Sequence, residues 1–300
     1  MQQLLDITSL GRAGMQALLA MAQDFSERSE PLPPILANTA VAPLFFEPST
    51  RTAMSFQMAC YHLGGRVLSF HPERSALQKG ESIEDTISTI RAMGVRIMVV
   101  RHSQSGIVHE LARVFPEVAF INAGDGTNQH PTQALLDILT MQQSVGSLVG
   151  KRVAIVGDSR HSRVANSLLE ALPLMGVREV VLVAPPVFLP DSREAVRVAH
   201  TLDAGLDQAD IVVALRFQKE RMEGGLCAKV AGTAQHFCIT PAVLDRLAPQ
   251  AILLHPGPVN IGVELSQEMM HDPRSRITEQ VQNGVWVRAA VFAQVFAALK

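Results

Sequence analysis

The sequence predicts an α/β protein of two lobes, each a parallel β-sheet flanked by helices. Three observations predict it. Short apolar runs alternate with longer amphipathic segments, hairpin signals are scarce, and 300 residues amount to about two domains at ~150 residues each.

Strands are predicted at Ala40–Phe46, Arg66–Phe70, Ile97–Val100 and Val118–Asn122, then at Arg152–Val156, Glu179–Ala184, Ile211–Leu215 and Ala251–Leu254. Helices are predicted at Gly11–Phe25, Met54–Leu63, Ser82–Met93, Gly106–Val114, Pro131–Gln142, Val164–Leu174, Asp191–Thr201 and Trp286–Leu299. Met15, Leu18, Leu19 and Ala22 recur at helical spacing in the first of these. Ser82, with Asp85 three residues on and Gly94 just past the end, marks a capped helix. The stretch Gln142–Gly150 reads as a joint. The helix before it can bridge the two lobes and the final helix fits either one; the expected domains are 1–133 plus 286–300 and 134–285.

Composition narrows the function classes. The chain is 47% hydrophobic and 18% charged, with formal net charge −2, which is ordinary for folded cores and unlike a disordered chain. Near-neutrality argues against non-specific nucleic-acid binding, which needs excess cations. A small anion needs only a few well-placed ones. No apolar run approaches the ~18 residues of a membrane span. The first residues lack a signal-peptide pattern. Cys60, Cys227 and Cys238 show no paired spacing, and the ten histidines are scattered, so neither a disulfide framework nor a metal site is indicated. A reducing cytoplasm is the expected compartment.

Parallel sheets bind ligands at the carboxyl ends of their strands. Six predicted strand ends here carry cations, amides, hydroxyls or glycines. The most informative follows the first strand: Glu47-Pro48-Ser49-Thr50-Arg51-Thr52, then a helix. A helix start there aims free N–H groups at one point, and the dipole adds roughly half a positive charge. Ser49, Thr50 and Thr52 add hydroxyls, and Arg51 adds a fork matched to phosphate oxygens. The bland alternative is that Ser49 or Thr50 merely caps the helix. The arginine between hydroxyls favours an anion cradle.

The segment His71–Ser82 reads as an exposed loop, or as a lid that brings Ser75 and Lys79 to an anion. Arg163 and Arg216 are either surface ion-pair partners or forks for carboxylates. His130 is a core histidine, a donor at a helix start, or a group that polarises a substrate oxygen. Val153-Ala154-Ile155-Val156-Gly157-Asp158 lacks GxGxxG spacing, and neither GxxxxGK[ST] nor GxSxG occurs, which disfavours dinucleotide, triphosphate and serine-hydrolase chemistry.

Taken in order, these motifs resemble a known family. Phe45-Phe46-Glu47-Pro48-Ser49-Thr50-Arg51-Thr52 is similar to the phosphate-binding signature of the aspartate/ornithine carbamoyltransferases. Ser75 with Lys79-Gly80-Glu81-Ser82 resembles the family's mobile loop, and Asn128-Gln129-His130-Pro131-Thr132-Gln133 also matches. Arg216-Phe217-Gln218-Lys219-Glu220-Arg221 and Leu254-His255-Pro256-Gly257-Pro258 resemble the aspartate branch in particular. The ornithine branch has Cys-Leu-Pro where this chain has Pro-Gly-Pro. The resemblance spans nearly the whole length.

The resemblance implies roles residue by residue. Ser49, Thr50, Arg51 and Thr52, with Arg101, would hold the phosphate of carbamoyl phosphate. Thr52, Arg101 and His130 would face its carbonyl oxygen. Gln133 and the carbonyls near Gly257 and Pro258 would accept from its amide. Arg163, Arg216 and Gln218 would bind the carboxylates of L-aspartate. Ser75 and Lys79 would arrive from a neighbouring subunit of a homotrimer, placing the active site in an interlobe cleft and at a subunit interface. No cofactor is implied, and a regulatory chain or a dihydroorotase are the family's kinds of protein partner. Ala53 stands where the family usually has arginine, and Gln57 where glutamate is common. Neither is among the phosphate donors, and a lost i, i+4 pair is worth only ~0.2–0.5 kcal/mol.

The residue types suit the chemistry. An amine attacks a carbonyl, negative charge grows on its oxygen, and phosphate leaves. Preorganised donors lower that barrier, one donor being typically worth ~3–4 kcal/mol. Two other readings are a non-catalytic scaffold, supported only by Ala53, and transfer to ornithine or another amine, disfavoured by Arg163 and Arg216.

Overall fold

The structure is a computed structural model, described here for residues 1–191, 196–217 and 235–299. It divides into two compact units, Met1–Leu139 with Val281–Lys300, and Thr140–Gln280.

In the first unit the strands are β1 (Ala40–Phe45), β2 (Arg66–Val67), β3 (Ile97–His102) and β4 (Ala119–Asp125). They form one parallel sheet in the order β2-β1-β3-β4. The helices are α1 (Gly11–Glu27), α2 (Thr50–His62), α3 (Ile83–Ala92), α4 (Ile107–Val114) and α5 (Pro131–Val145). Strands β1, β3 and β4 bury both faces over most of their length, so their apolar runs are continuous rather than alternating, while β2 at the edge is exposed at Arg66. Leu44, Met98, Val100, Val108, Leu111 and Phe120 belong to one core cluster. Helix α1 turns Met15, Leu18, Leu19, Ala22 and Phe25 inward. The backbone ahead of it extends the sheet: Leu4 N–H donates to Phe120 O (2.9 Å) and Asn122 N–H to Leu4 O (2.8 Å).

The second unit holds β5 (Arg152–Val156), β6 (Glu179–Val183), β7 (Arg197–Ala199), β8 (Ile211–Ala214) and β9 (Ile252–Leu254), parallel in the order β7-β6-β5-β8-β9. Helices α6 (Arg163–Leu174) and α7 (Leu202–Leu206) are followed by a short helix at Pro241–Leu247 and the C-terminal helix Ile277–Leu299.

Sequence and structure part in several places. The helix expected over Asp191–Thr201 is not formed at its end: Arg197–Ala199 is strand β7, paired with β6 at Val181↔Arg197 and Val183↔Ala199. Open pairing groups on β6 override the apparent helical spacing. The strand expected over Arg66–Phe70 is formed only at Arg66–Val67, and α2 begins at Thr50, where the cradle reading puts the helix start, rather than at Met54 as hydrophobic spacing alone suggests. Helix α5 runs past Gln142 to Val145, so the expected joint begins inside a helix. Capping at Ser82 is as predicted: its hydroxyl accepts from Asp85 N–H (3.0 Å), and Gly94 follows with φ +94°. No helix among the described residues is long and apolar enough to cross a membrane.

Candidate active site

Strand order decides where ligands can bind. In the first sheet the chain leaves β1 toward β2 on one side, while β3 lies on the other. Connections diverging from adjacent strands open a crevice at their carboxyl ends. The loop Phe46–Ser49 leaves β1 there, and Arg101, next to last in β3, lies beside it, in register with Phe45 and with its carbonyl accepting from Phe46 N–H (2.9 Å).

Ser49 is the N-cap of α2 but makes no side-chain cap hydrogen bond. Elsewhere Ser82, Ser162, Thr201 and Thr240 each accept from a backbone N–H of their helices. Ser49 therefore does not cap α2 through its side chain. Thr50 and Arg51 are exposed and Thr52 is buried. Arg101 is largely buried, its Nε 3.6 Å from Glu47 Oε2 and its Nη1 donating to Ala123 O (3.1 Å). These contacts extend the guanidinium along the ends of β1, β3 and β4.

The loop after β4 is fixed by two residues that pattern reading did not single out. Asn122 accepts from Gly124 N–H (2.8 Å) and donates to Asp125 Oδ1 (2.9 Å). Asp125, fully buried, accepts from Gln129 N–H (3.1 Å), Asn128 Nδ2 (3.0 Å) and Gly106 N–H (2.6 Å). Gly126 sits at φ +47°, where a Cβ would strike Ser105. This rigid turn delivers His130 and Gln133 to the start of α5, 3% and 7% exposed. The only sequence signal for it was the Gly-Asp-Gly string, which marks a turn and no role. Ser75 sits between two 3₁₀ turns after β2, Pro72–Arg74 and Ala76–Lys79, and Lys79 ends the second; Ser75 Oγ donates to Pro72 O (2.9 Å) and Lys79 is exposed.

The second sheet repeats the arrangement. Its order reverses between β5 and β8, which are adjacent. Arg163 follows β5 as the first residue of α6, and Arg216 follows β8. Arg163 is 8% exposed, held there by a loop in which buried Asp158 accepts from His161 N–H (3.1 Å) and lies 3.0 Å from His161 Nδ1. His255-Pro256-Gly257-Pro258 follows β9, next to β8. Both arginines thus follow the carboxyl ends of adjacent strands, and a guanidinium there is of the type that pairs with a carboxylate. Gln218 lies outside the described residues.

Residues 2–143 match the family model described as aspartate/ornithine carbamoyltransferase, carbamoyl-P binding domain, and residues 149–295 match its Asp/Orn binding domain. The chain belongs to the aspartate/ornithine carbamoyltransferase family. It is 45% identical over 294 residues to the aspartate carbamoyltransferase catalytic subunit of Thermus aquaticus, covering 97% of each chain. It is 44% identical to that of Thermobifida fusca, covering 97% of this chain and 94% of the relative. Among solved structures it resembles aspartate transcarbamoylase from Trypanosoma cruzi in complex with carbamoyl aspartate and phosphate, at TM-score 0.90 and 31% identity, over 98% of this chain and 96% of that one. The same enzyme with N-(phosphonacetyl)-L-aspartic acid aligns at TM-score 0.89 and 31% identity, over 98% and 95%. The family's two domain models fall on the two sheets, so each half of the chain carries one of the two arginine-bearing reversals.

Proposed function

We propose that this member of the family transfers the carbamoyl group of carbamoyl phosphate to the amine of L-aspartate. The products are N-carbamoyl-L-aspartate and phosphate, a step of de novo pyrimidine synthesis. The observation that carries this reading is the uncapped start of α2 beside Arg101 at the first sheet's reversal. Ser49, Thr50, Arg51, Thr52 and Arg101 hold the phosphate. Thr52, Arg101 and His130 stabilise the charge that grows on the carbonyl oxygen, and Gln133 with the carbonyls at Gly257 and Pro258 accepts from the amide. Arg163, Arg216 and Gln218 take the aspartate carboxylates, which favours aspartate over a cationic acceptor such as ornithine. Residues 1–133 with 286–300 serve carbamoyl phosphate, and 134–285 serve aspartate.

The chain acts as a homotrimer in the cytoplasm. On α2, Met54, Met58 and Tyr61 are 58%, 43% and 74% exposed, a stripe at helical spacing that a second copy would cover. Ser75 and Lys79 sit on an exposed loop of the same unit, from which they can reach a neighbour's cradle.

The test is a colorimetric assay for carbamoyl aspartate, run with aspartate and ornithine as competing acceptors at saturating carbamoyl phosphate. Aspartate turnover supports the reading; turnover with ornithine alone, or with neither, overturns it.

A further inference from the structure

Gln133 and Asp137 are spaced i, i+4, which places both side chains on one face of α5. Residues 131–141 are all buried, and Asp137 is fully so. A buried carboxylate is costly unless donors meet it. One donor is Gln133, whose Nε2 gives a 2.8 Å hydrogen bond to Asp137 Oδ1. An ionised carboxylate only accepts, so it engages the NH₂ end of the amide and never the oxygen. The Gln133 oxygen is thereby turned away from Asp137 and left as an acceptor.

A cation backs this pair. Arg288, on the C-terminal helix, is 2% exposed; its Nη1 donates to Gly284 O (3.0 Å), and its guanidinium lies 5.0 Å from the centre of the Phe56 ring. A Cβ at Gly284 would collide with Arg288 Nη1 and would touch Leu136, the neighbour of Asp137. The missing side chain at 284 is what lets the guanidinium lie against α5. Burial pushes Arg288 down to about 9; the Asp137 carboxylate opposes that shift and the Arg101 guanidinium adds to it.

The geometry points to Asp137 as a positioning residue that fixes the Gln133 amide with its oxygen toward the ligand, so that the site selects an acyl phosphate bearing NH₂ over one bearing CH₃. The inference rests on the assignment of Gln133 to the carbamoyl end. Asp137 touches no substrate and acts through Gln133. Arg288 supplies a countercharge to the Asp137 carboxylate, and the Gln133 Nε2 bond to Asp137 Oδ1 (2.8 Å) fixes which end of the amide faces it.

The experiment measures binding of three probes to the full chain: inorganic phosphate, acetyl phosphate and carbamoyl phosphate. The wild type is expected to bind carbamoyl phosphate more tightly than acetyl phosphate. If it does not, the assignment of Gln133 itself fails. Asp137→Asn keeps the shape but can satisfy either amide orientation. It is expected to weaken carbamoyl phosphate roughly 5–10-fold, the size of one neutral hydrogen bond, with phosphate and acetyl phosphate within about twofold of wild type. Gln133→Met, which leaves Asp137 in place, is expected to abolish the preference. The double variant is expected to discriminate no worse than Gln133→Met alone, because two residues acting through one contact are not additive. Parallel weakening of all three probes by Asp137→Asn, full retention of the preference, or additive losses in the double variant would overturn the positioning role while leaving the assignment of Gln133 intact.

Discussion

His255 and Glu264 form a buried pair, with Nε2 of the imidazole 3.3 Å from Oε1 of the carboxylate and side-chain exposures of 0% and 2%. The other ring nitrogen, Nδ1, accepts from Gly257 N–H (2.8 Å), so the neutral ring carries its proton on Nε2, facing Glu264. Glu264 Oε1 also accepts from Asn260 N–H (2.7 Å). One carboxylate thus ties both halves of the loop that carries Gly257 and Pro258. Glu264→Leu is expected to lower stability by about 1–3 kcal/mol, since it strands buried donors. Glu264→Gln, which keeps the acceptor, should stay within about 1 kcal/mol of wild type. Thermal unfolding of both variants checks this; equal loss in the two would show that shape rather than the acceptor matters.

Arg51→Ala should leave the unfolding temperature unchanged, because the side chain is exposed and builds no core. Turnover should fall on the order of 100–1000-fold if the guanidinium stabilises the departing phosphate. Near-normal turnover would remove the cradle from the mechanism.

If the proposed homotrimer with shared sites holds, Lys79→Ala should cripple turnover while sedimentation still reports a trimer, since the side chain is exposed on its own chain. Mixing Lys79→Ala with Arg51→Ala chains should restore part of the activity, because one shared site then receives an intact cradle and an intact lysine. Wild-type turnover in an isolated monomer would contradict the shared site.

Asp6 anchors the amino-terminal segment. Burial alone would raise its pKa, but the Ser9 N–H (2.6 Å) and His109 Nε2 (2.7 Å) hold it below the usual carboxylate value. A depressed carboxyl stabilises the fold above its unfolded pKa of ~3.9 and loses that contribution as pH falls through the folded value. Asp6→Asn should lower the unfolding temperature by about 2–4 °C at pH 7, the effect of roughly one hydrogen bond. The gap between variant and wild type should begin to shrink below pH ~3.9 and close once the pH is below the lowered folded value; a gap that persists in the fully protonated protein would assign the effect to packing.

Much of this was legible in the sequence because apolar runs and charged loops have strong local causes. Ile97–Val100 and Arg152–Val156 are strands because they are β-branched or apolar on both faces. The loop at Ser49 announced itself through residue chemistry. Strand order did not, since it depends on contacts distant in sequence; only the order β2-β1-β3-β4 shows that Arg101 meets the end of β1. The strand at Arg197–Ala199 was hidden for the same reason. Asn122 and Arg288 escape pattern reading because a buried polar residue in an apolar string carries no mark of its partner, and Asp125 because a polar turn does not show which of its side chains is buried. Asp137 was passed over although it stands one helical turn from Gln133, because an i, i+4 carboxylate on a helix is ordinarily a solvated one.

The divergence of the chain at β1 and β3 has an evolutionary side. The gap between their tips is made by topology, so no single substitution can fill it without undoing the sheet. A descendant of this chain that lost turnover would still carry a hole lined by helix-start amides. It would remain a receptor for small oxyanions long after it ceased to be a catalyst.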